Sequence, residues 1–302
     1  MRQQLALFGH LTVDLIFEHG ALRCVSVGGP PAYGGLTALK LGHSPQLVTR
    51  FGPDFFEHGF SRVRLGSLSF APGSEARRPT TRFELHYHGG RRRLRLLARC
   101  SRLGVEQVED ASYRVSVVSP VCGEIGGQLL KRIRAESEYL FVDPQGFVRG
   151  FNRRGWAFHR SPRDTLFVRV ADAIKVDPRE AAALTGARGP REVVKRLLKM
   201  GPTCVILTWG RRFVYLGTGG NLWRAAPPAV RAVDPTGAGD IFSAAFATTM
   251  ASDADPLWAL STGLACVGEI LGRGHWGLDK VVQWVPSLDR VEAIRDSIRR
   301  IS

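Results

Sequence analysis

The chain has 302 residues, 44% of them hydrophobic and 23% charged, proportions that exclude a disordered or fibrous protein and suit a globular chain with a large buried core. No run of about 18 uncharged apolar residues could span a bilayer, and Met1-Arg2-Gln3-Gln4-Leu5 leads into a strand-like segment without a cleavage pattern, so a cytoplasmic protein is expected. The net charge of +15 admits either nucleic acid or an anionic small molecule as partner. Its arginines are spread along the chain, densest at Arg77-Arg78, Arg91-Arg92-Arg93-Leu94-Arg95 and Arg153-Arg154, which reads as a solvated basic surface rather than a nucleic-acid patch. The five cysteines (Cys24, Cys100, Cys122, Cys204, Cys266) show no C-x-x-C spacing and read as buried small hydrophobes.

In chain order, Leu5 to Phe8 reads as a strand, followed by a turn at Gly9-His10 and a second apolar stretch from Val13 to Phe17 that contains Asp14. After Gly28-Gly29-Pro30-Pro31, helix-favouring residues run from Ala32 to Leu41 and end at Gly42, a fitting C-terminal cap. Gln46 to Thr49 is a short strand. Between Thr81 and Ala98, alternation places Phe83, Leu85 and Tyr87 on one face, and Leu94 and Leu96 return beyond Gly89-Gly90, which predicts a hairpin. Together with Leu22 to Val27 it is expected to form a small sheet projecting from the body and able to cover a ligand. From Val115 onward, strands (115–118, 139–142, 173–176, 205–208) alternate with helices (128–134, 179–184, 192–200), which predicts a parallel sheet covered on both faces. A hairpin over 213–224 and helices over 239–250, 257–271 and 291–301 complete the chain.

The segment Val233-Asp234-Pro235-Thr236-Gly237-Ala238-Gly239-Asp240-Ile241-Phe242-Ser243 carries the clearest chemistry. It joins a glycine turn to a helix of small residues. The amides of Gly237, Ala238 and Gly239 can approach a ligand closely and, at a helix N-terminus, point outward as free donors. The helix dipole adds to them, so phosphate oxygens suit the site. Asp240, in the first turn, is placed to accept a proton from a hydroxyl as a phosphoryl group moves onto it. The bland alternative is that Asp234 and Asp240 only cap the helix and complement its dipole.

This segment resembles the D-T-x-G-A-G-D signature of the ribokinase, or PfkB, family of carbohydrate kinases, with Pro235 standing where the family usually has Thr. The resemblance continues at Leu7-Phe8-Gly9-His10-Leu11-Thr12-Val13-Asp14, similar to the family's opening strand, whose aspartate holds substrate hydroxyls. It continues at Gly28-Gly29, similar to the glycine signature beneath the substrate, with Tyr33 where Asn is common. Asp177-Pro178-Arg179-Glu180 resembles the N-x-x-E element; Asp177 and Glu180 would then organise Mg²⁺. Thr208-Trp209-Gly210 corresponds to the strand end along the nucleotide. Asp143-Pro144-Gln145-Gly146-Phe147-Val148-Arg149 looks like a segment of inositol-kinase-like members.

The resemblance implies a ribokinase-like α/β fold over residues 1–302, with a mostly parallel central sheet, flanking helices and lid strands at about 18–28 and 80–99. It implies an ATP- and Mg²⁺-dependent kinase acting on a sugar or polyol hydroxyl, first myo-inositol, alternatively a nucleoside or ribose-type sugar on whose base Tyr33 could stack. The implied catalytic set is Asp240 with Gly237, Ala238 and Gly239. Thr208, Gly210, Thr236 and Arg273 would bind the donor, and Asp14, Gly28, Gly29, Tyr33, Gln145 and Arg149 the acceptor, together with Asp240. A monomer and a homodimer are both compatible. A non-catalytic sugar or nucleotide sensor is the reading from another class, and the intact Asp240 with its glycine turn argues against it.

Other motifs lead nowhere. Gly272-Arg273-Gly274-His275-Trp276-Gly277 satisfies G-x-G-x-x-G but follows a helix rather than a strand. No P-loop, protein-kinase catalytic loop or nucleophile elbow is present. His86 and His88 share a strand face without a third ligand, so they read as ordinary lid residues rather than a metal site.

Overall fold

The computed structural model describes residues 3–56, 65, 68–89, 91–108, 112–210, 212–282, 284 and 287–301. In chain order its strands are β1 (Gln3–Phe8), β2 (Thr12–Glu18), β3 (Ala21–Gly28), β4 (Gln46–Val48), β5 (Ser69–Phe70), β6 (Thr81–His88), β7 (Arg91–Ala98) and β8 (Tyr113–Val118). They continue as β9 (Ser137–Val142), β10 (Arg149–Phe151), β11 (Ala157–His159), β12 (Ala173–Val176), β13 (Cys204–Trp209), β14 (Phe213–Thr218), β15 (Asn221–Ala225) and β16 (Arg299–Arg300).

The main sheet runs β16-β15-β14-β13-β12-β9-β8-β1-β4-β5. From β13 through β5 every pairing is parallel, and the other three are antiparallel. Period-2 side-chain alternation explains its two cores. On β1, Leu5 and Leu7 face one side while Ala6 and Phe8 face the other, so both faces are apolar and both must be covered. The first face is packed by the helices Pro30–Lys40, Ala238–Ala251 and Pro256–Gly272, the second by Gly127–Ala135, Pro178–Thr185 and Pro190–Lys199. Asp177 starts the Pro178 helix with a complete capping box, and its carboxylate accepts from the Arg179 and Glu180 amides; Pro178 at the first helical position fixes the entry.

The predicted 81–98 hairpin is β6 and β7, with Leu85 opposite Leu94 and Phe83 opposite Leu96. It belongs to a second sheet ordered β3-β2-β6-β7, which takes in Thr12–Glu18 as well. Phe83 and Leu85, with Leu94 and Leu96, form an apolar inner face against Val121, Cys122 and Phe151. Its outer face is tied down by Trp156, beneath the Arg93 guanidinium at 4.1 Å. Only Gly9–Leu11 separates β1 of the main sheet from β2 of this one. That link is pinned: the His10 amide donates to Glu124 Oε1 at 3.1 Å, and its ring contacts the Ser101 carbonyl and the Thr81 hydroxyl, both at 2.8 Å.

Two local readings change. The expected helix over 291–301 is Leu288–Ser297, after which Arg299 and Arg300 pair with Arg224 and Trp223 as an edge strand. Pairing with β15 overrides the helix-compatible composition there. The short helix Gln145–Val148 and the β10–β11 hairpin were not predicted. His86 stacks on Phe17 and bonds Glu84, so it packs within the lid. No disulfide joins the five cysteines, of which Cys24 is half-buried and the other four are buried. Among the described residues no helix is long and apolar enough to cross a membrane.

Candidate active site

Parallel α/β sheets bind ligands beyond the carboxyl ends of their strands, and a cleft lies in that region under the lid. It is lined by Thr12, Asp14, Gly29, Tyr33, Arg92, Gln145, Arg149, Thr236, Gly237 and Asp240, among others. Eight of the sequence-derived candidates therefore meet across the chain.

The glycine turn builds one wall. Gly237 is the N-cap of the helix Ala238–Ala251 and has a positive φ of 78°, a conformation only glycine adopts without strain. Ala238 N closes the turn with a long 3.3 Å bond to the Pro235 carbonyl. No acceptor among the described residues takes the Gly237 or Gly239 amides, so both remain available to an anion. A Cβ at Gly237 would stand 2.5 Å from the Tyr33 ring. Gly237→Ala is therefore expected to cost about 1–3 kcal/mol of stability, read as a fall in Tm; an unshifted Tm would show that the turn relaxes freely.

Asp234 anchors this turn from below. Its Oδ1 accepts from Thr236 N at 2.9 Å, and its Oδ2 accepts from Gly277 N and from Lys280 Nζ, each at 2.9 Å. Lys280 Nζ also donates to the Asp234 carbonyl at 2.9 Å. Both side chains are fully buried, an arrangement tolerated only with complete pairing. Burial lowers the Lys280 pKa, and the Asp234 charge opposes that shift.

Asp240, half-buried on the first turn, faces the cleft. Gln145 Nε2 donates to Asp240 Oδ1 at 3.4 Å, Arg149 Nη2 donates to Gln145 Oε1 at 2.8 Å, and Arg149 Nη1 donates to the Val121 carbonyl at 3.0 Å. Desolvation raises the Asp240 pKa to about 7; the Asp143 charge adds to this, while Lys175, Arg92 and Arg149 oppose it. Asp14 is also pushed up to about 7 by burial, against a 2.8 Å hydrogen bond from Thr12. Its carboxylate lies over Gly28, where no Cβ would fit, and a Cβ at Gly29 would run into the His10 carbonyl. The buried Tyr33 hydroxyl has no hydrogen-bond partner, an open position for a polar ligand.

Lys175 joins this cleft to the far strand ends. Its Nζ lies 2.5 Å from Asp143 Oδ2 and donates to the Gly239 carbonyl at 3.3 Å. Burial would lower the Lys175 pKa, but the Asp143 and Glu180 charges outweigh it and raise it. Glu180 is raised to about 8 by burial and by the Asp177 and Asp143 charges. Ligand atoms of His159, Asp177 and Glu180 all lie within 4.8 Å of one another. The capping box uses one oxygen of each carboxylate, leaving the other to a cation. Two carboxylates crowded at a strand end suit Mg²⁺ and its waters.

Not every candidate converges. Thr208, next to last in β13, donates to the Val176 carbonyl at 3.3 Å, and Gly210 follows the strand in a left-handed turn; neither lines the cleft. Arg273 lies elsewhere, in an open hollow of about 440 Å³ with Glu269 and Arg290. Sequence reasoning missed Thr12, Tyr87, Arg92, Asp143, Lys175 and Lys280. Only Lys175 carried a signal, as a lone lysine within the apolar strand Ala173–Val176.

Comparison with known proteins agrees with this architecture. The model described as pfkB family carbohydrate kinase matches residues 107–273, more than half of the chain. An inositol 3-kinase of Oryza sativa subsp. japonica is 28% identical over 279 residues, 86% of this chain; the chain spans only 64% of that relative's length. Among solved structures, a pyrophosphate-dependent kinase in the ribokinase family, complexed with a pyrophosphate analog and myo-inositol, superposes with a TM-score of 0.79 at 22% identity, covering 96% of this chain and 100% of its own. Ribokinase of Arabidopsis thaliana, complexed with ribose and ATP, does so with a TM-score of 0.72 at 18% identity, covering 98% and 99%. The fold is ribokinase-like, and the chain belongs to the pfkB family of carbohydrate kinases.

Proposed function

We propose that the chain transfers a phosphoryl group from ATP to a hydroxyl of a small polyol, with myo-inositol first among acceptors. The observation that carries this reading is Asp240: one carboxylate stands between free amides at a helix N-terminus and a cleft lined by hydroxyl-binding groups. In the reaction the acceptor oxygen forms a bond to the γ-phosphorus, the bond from that phosphorus to the β,γ-bridging oxygen breaks, and ADP leaves. The acceptor's proton passes to Asp240. The Gly237 and Gly239 amides receive phosphoryl oxygens as their charge develops. Asp14, the Tyr33 hydroxyl, Gln145 and Arg149 hold the acceptor, and Gln145 keeps the Asp240 carboxylate aimed at it. Asp177 and Glu180 would hold Mg²⁺, which would supply positive charge to the donor phosphates. The likeness to an inositol 3-kinase and to a structure containing myo-inositol supports the acceptor choice.

The deciding experiment is an ADP-release assay with Mg²⁺-ATP across inositols, pentoses, hexoses and nucleosides, repeated with pyrophosphate as donor and phosphate release as readout. Turnover greatest with an inositol supports the proposal; turnover confined to a nucleoside or a pentose removes the polyol assignment.

A pH profile tests the base. An ionised Asp240 is required, and its pKa is about 7, so kcat/KM should fall roughly tenfold per unit as pH drops below that value and level off above it. Arg149→Gln removes a charge that lowers this pKa, so its midpoint should move to higher pH. Initial rates from about pH 5.5 to about 8.5 check both; a flat profile would show that Asp240 does not act as the base.

A further inference from the structure

The lid carries an arginine that this reading leaves without a task. Strand alternation along β7 sends Arg92 and Leu94 into the cleft. Two outward arginines of this strand are engaged: Arg93 stacks on Trp156 at 4.1 Å, and Arg95 pairs with Glu84 at 3.4 Å. Arg82 on β6 pairs with Asp54 at 3.1 Å. Arg92 has no carboxylate partner among the described residues. It sits opposite Tyr87 in the hairpin register, and its guanidinium acts on the Tyr87 hydroxyl. The Tyr87 hydroxyl in turn hydrogen-bonds Thr236 Oγ1, 2.8 Å away in the glycine turn. The chain Arg92–Tyr87–Thr236 thus docks a lid guanidinium on the loop of free amides, in the same cleft as Asp240. Asp240 and Asp177 are the carboxylates whose charges act on it, one from the acceptor side and one from the donor side.

A guanidinium that is not neutralised, placed between acceptor and donor groups beside free amides, calls for an anion with several oxygens. Resting on the phosphotransfer reading above, we propose that Arg92 is a catalytic residue: it contacts the phosphoryl group in flight and is delivered by lid closure, an arginine finger supplied in cis. Tyr87 is its positioning residue. Charge spreads over the three equatorial oxygens of that group in the transition state, where a bidentate donor acts more strongly than in the ground state. The lid then does more than exclude water, because closing it completes the catalytic charge.

Steady-state kinetics of Arg92→Ala and Arg92→Lys test this. The alanine variant should lose about 10³-fold or more in kcat, with acceptor KM within about threefold of wild type. Lysine should recover only part of the loss, because it lacks the fork, and added guanidinium should partly restore the alanine variant. Unchanged kcat overturns the proposal. So does a large rise in acceptor KM at unchanged kcat, which would instead make Arg92 a ground-state contact to the acceptor. Calorimetric titration with inorganic sulfate needs no turnover. Arg92→Ala should bind sulfate at least about tenfold more weakly, and equal affinity overturns the anion contact. A wild-type chain that binds sulfate through Arg92 yet phosphorylates nothing removes the kinase reading while leaving the anion site standing.

Discussion

Asp240→Asn is expected to lower kcat by roughly 10² to 10⁴ while donor affinity stays within a few-fold of wild type. The substitution is nearly isosteric, and the asparagine carbonyl can still accept the Gln145 hydrogen bond that Asp240 Oδ1 accepts now. Gly237 and Gly239 present backbone amides that the change does not touch. What disappears is the basic oxygen and, with it, the rise of activity through about pH 7. Turnover measured beside calorimetric nucleotide binding separates the two effects. Loss of both binding and turnover would show that Asp240 supports the site's architecture, and near-normal turnover would show that another group takes the proton.

Lys280→Met should be the most damaging single change to stability outside the apolar core. It leaves the Asp234 carboxylate, which has no exposed surface, without its cation, and breaking a buried pair from one side costs about 3–5 kcal/mol. The double variant Asp234→Asn/Lys280→Met removes the orphaned charge and should recover more than half of that loss. Thr236 N and Gly277 N depend on the same carboxylate, so turnover should fall in the single variant even under conditions where it stays folded. Urea denaturation of the three proteins gives the comparison. A loss below about 1 kcal/mol in the single variant would mean that the pair is replaced by water at little cost.

How far the sequence reveals this site depends on how local each part of it is. Residues 233–243 hold the amides, the base and the helix start in one contiguous stretch, so residue order alone makes them readable. The Asp177–Glu180 capping box is local for the same reason. The Lys280–Asp234 bond spans 46 residues, the Lys175–Gly239 bond 64 and the Tyr87–Thr236 bond 149; no spacing rule links such positions. Arg92 was hidden by its neighbours. Within Arg91-Arg92-Arg93-Leu94-Arg95 the composition suggests a solvated face, and only the register of β7 shows that Arg92, like Leu94, lines the cleft. The parallel sheet was legible because both of its faces are apolar. The strand at Arg299–Arg300 was not, because its pairing with β15 leaves no trace in its own residues.

The pinned Gly9–Leu11 link has a mechanical consequence. β2 and β6 run parallel with Thr12 opposite Thr81 and Glu18 opposite Tyr87, so the lid extends from the His10 anchor like a door from its hinge. Thr12 and Asp14 sit at the hinge, whereas Tyr87 and Arg92 lie about six residues, roughly 20 Å, along the strand. A swing about that axis carries the guanidinium through a long arc while the carboxylate at the hinge barely shifts. An acceptor could therefore settle against Asp14 with the door ajar, and the charge needed for chemistry would arrive only when it shuts.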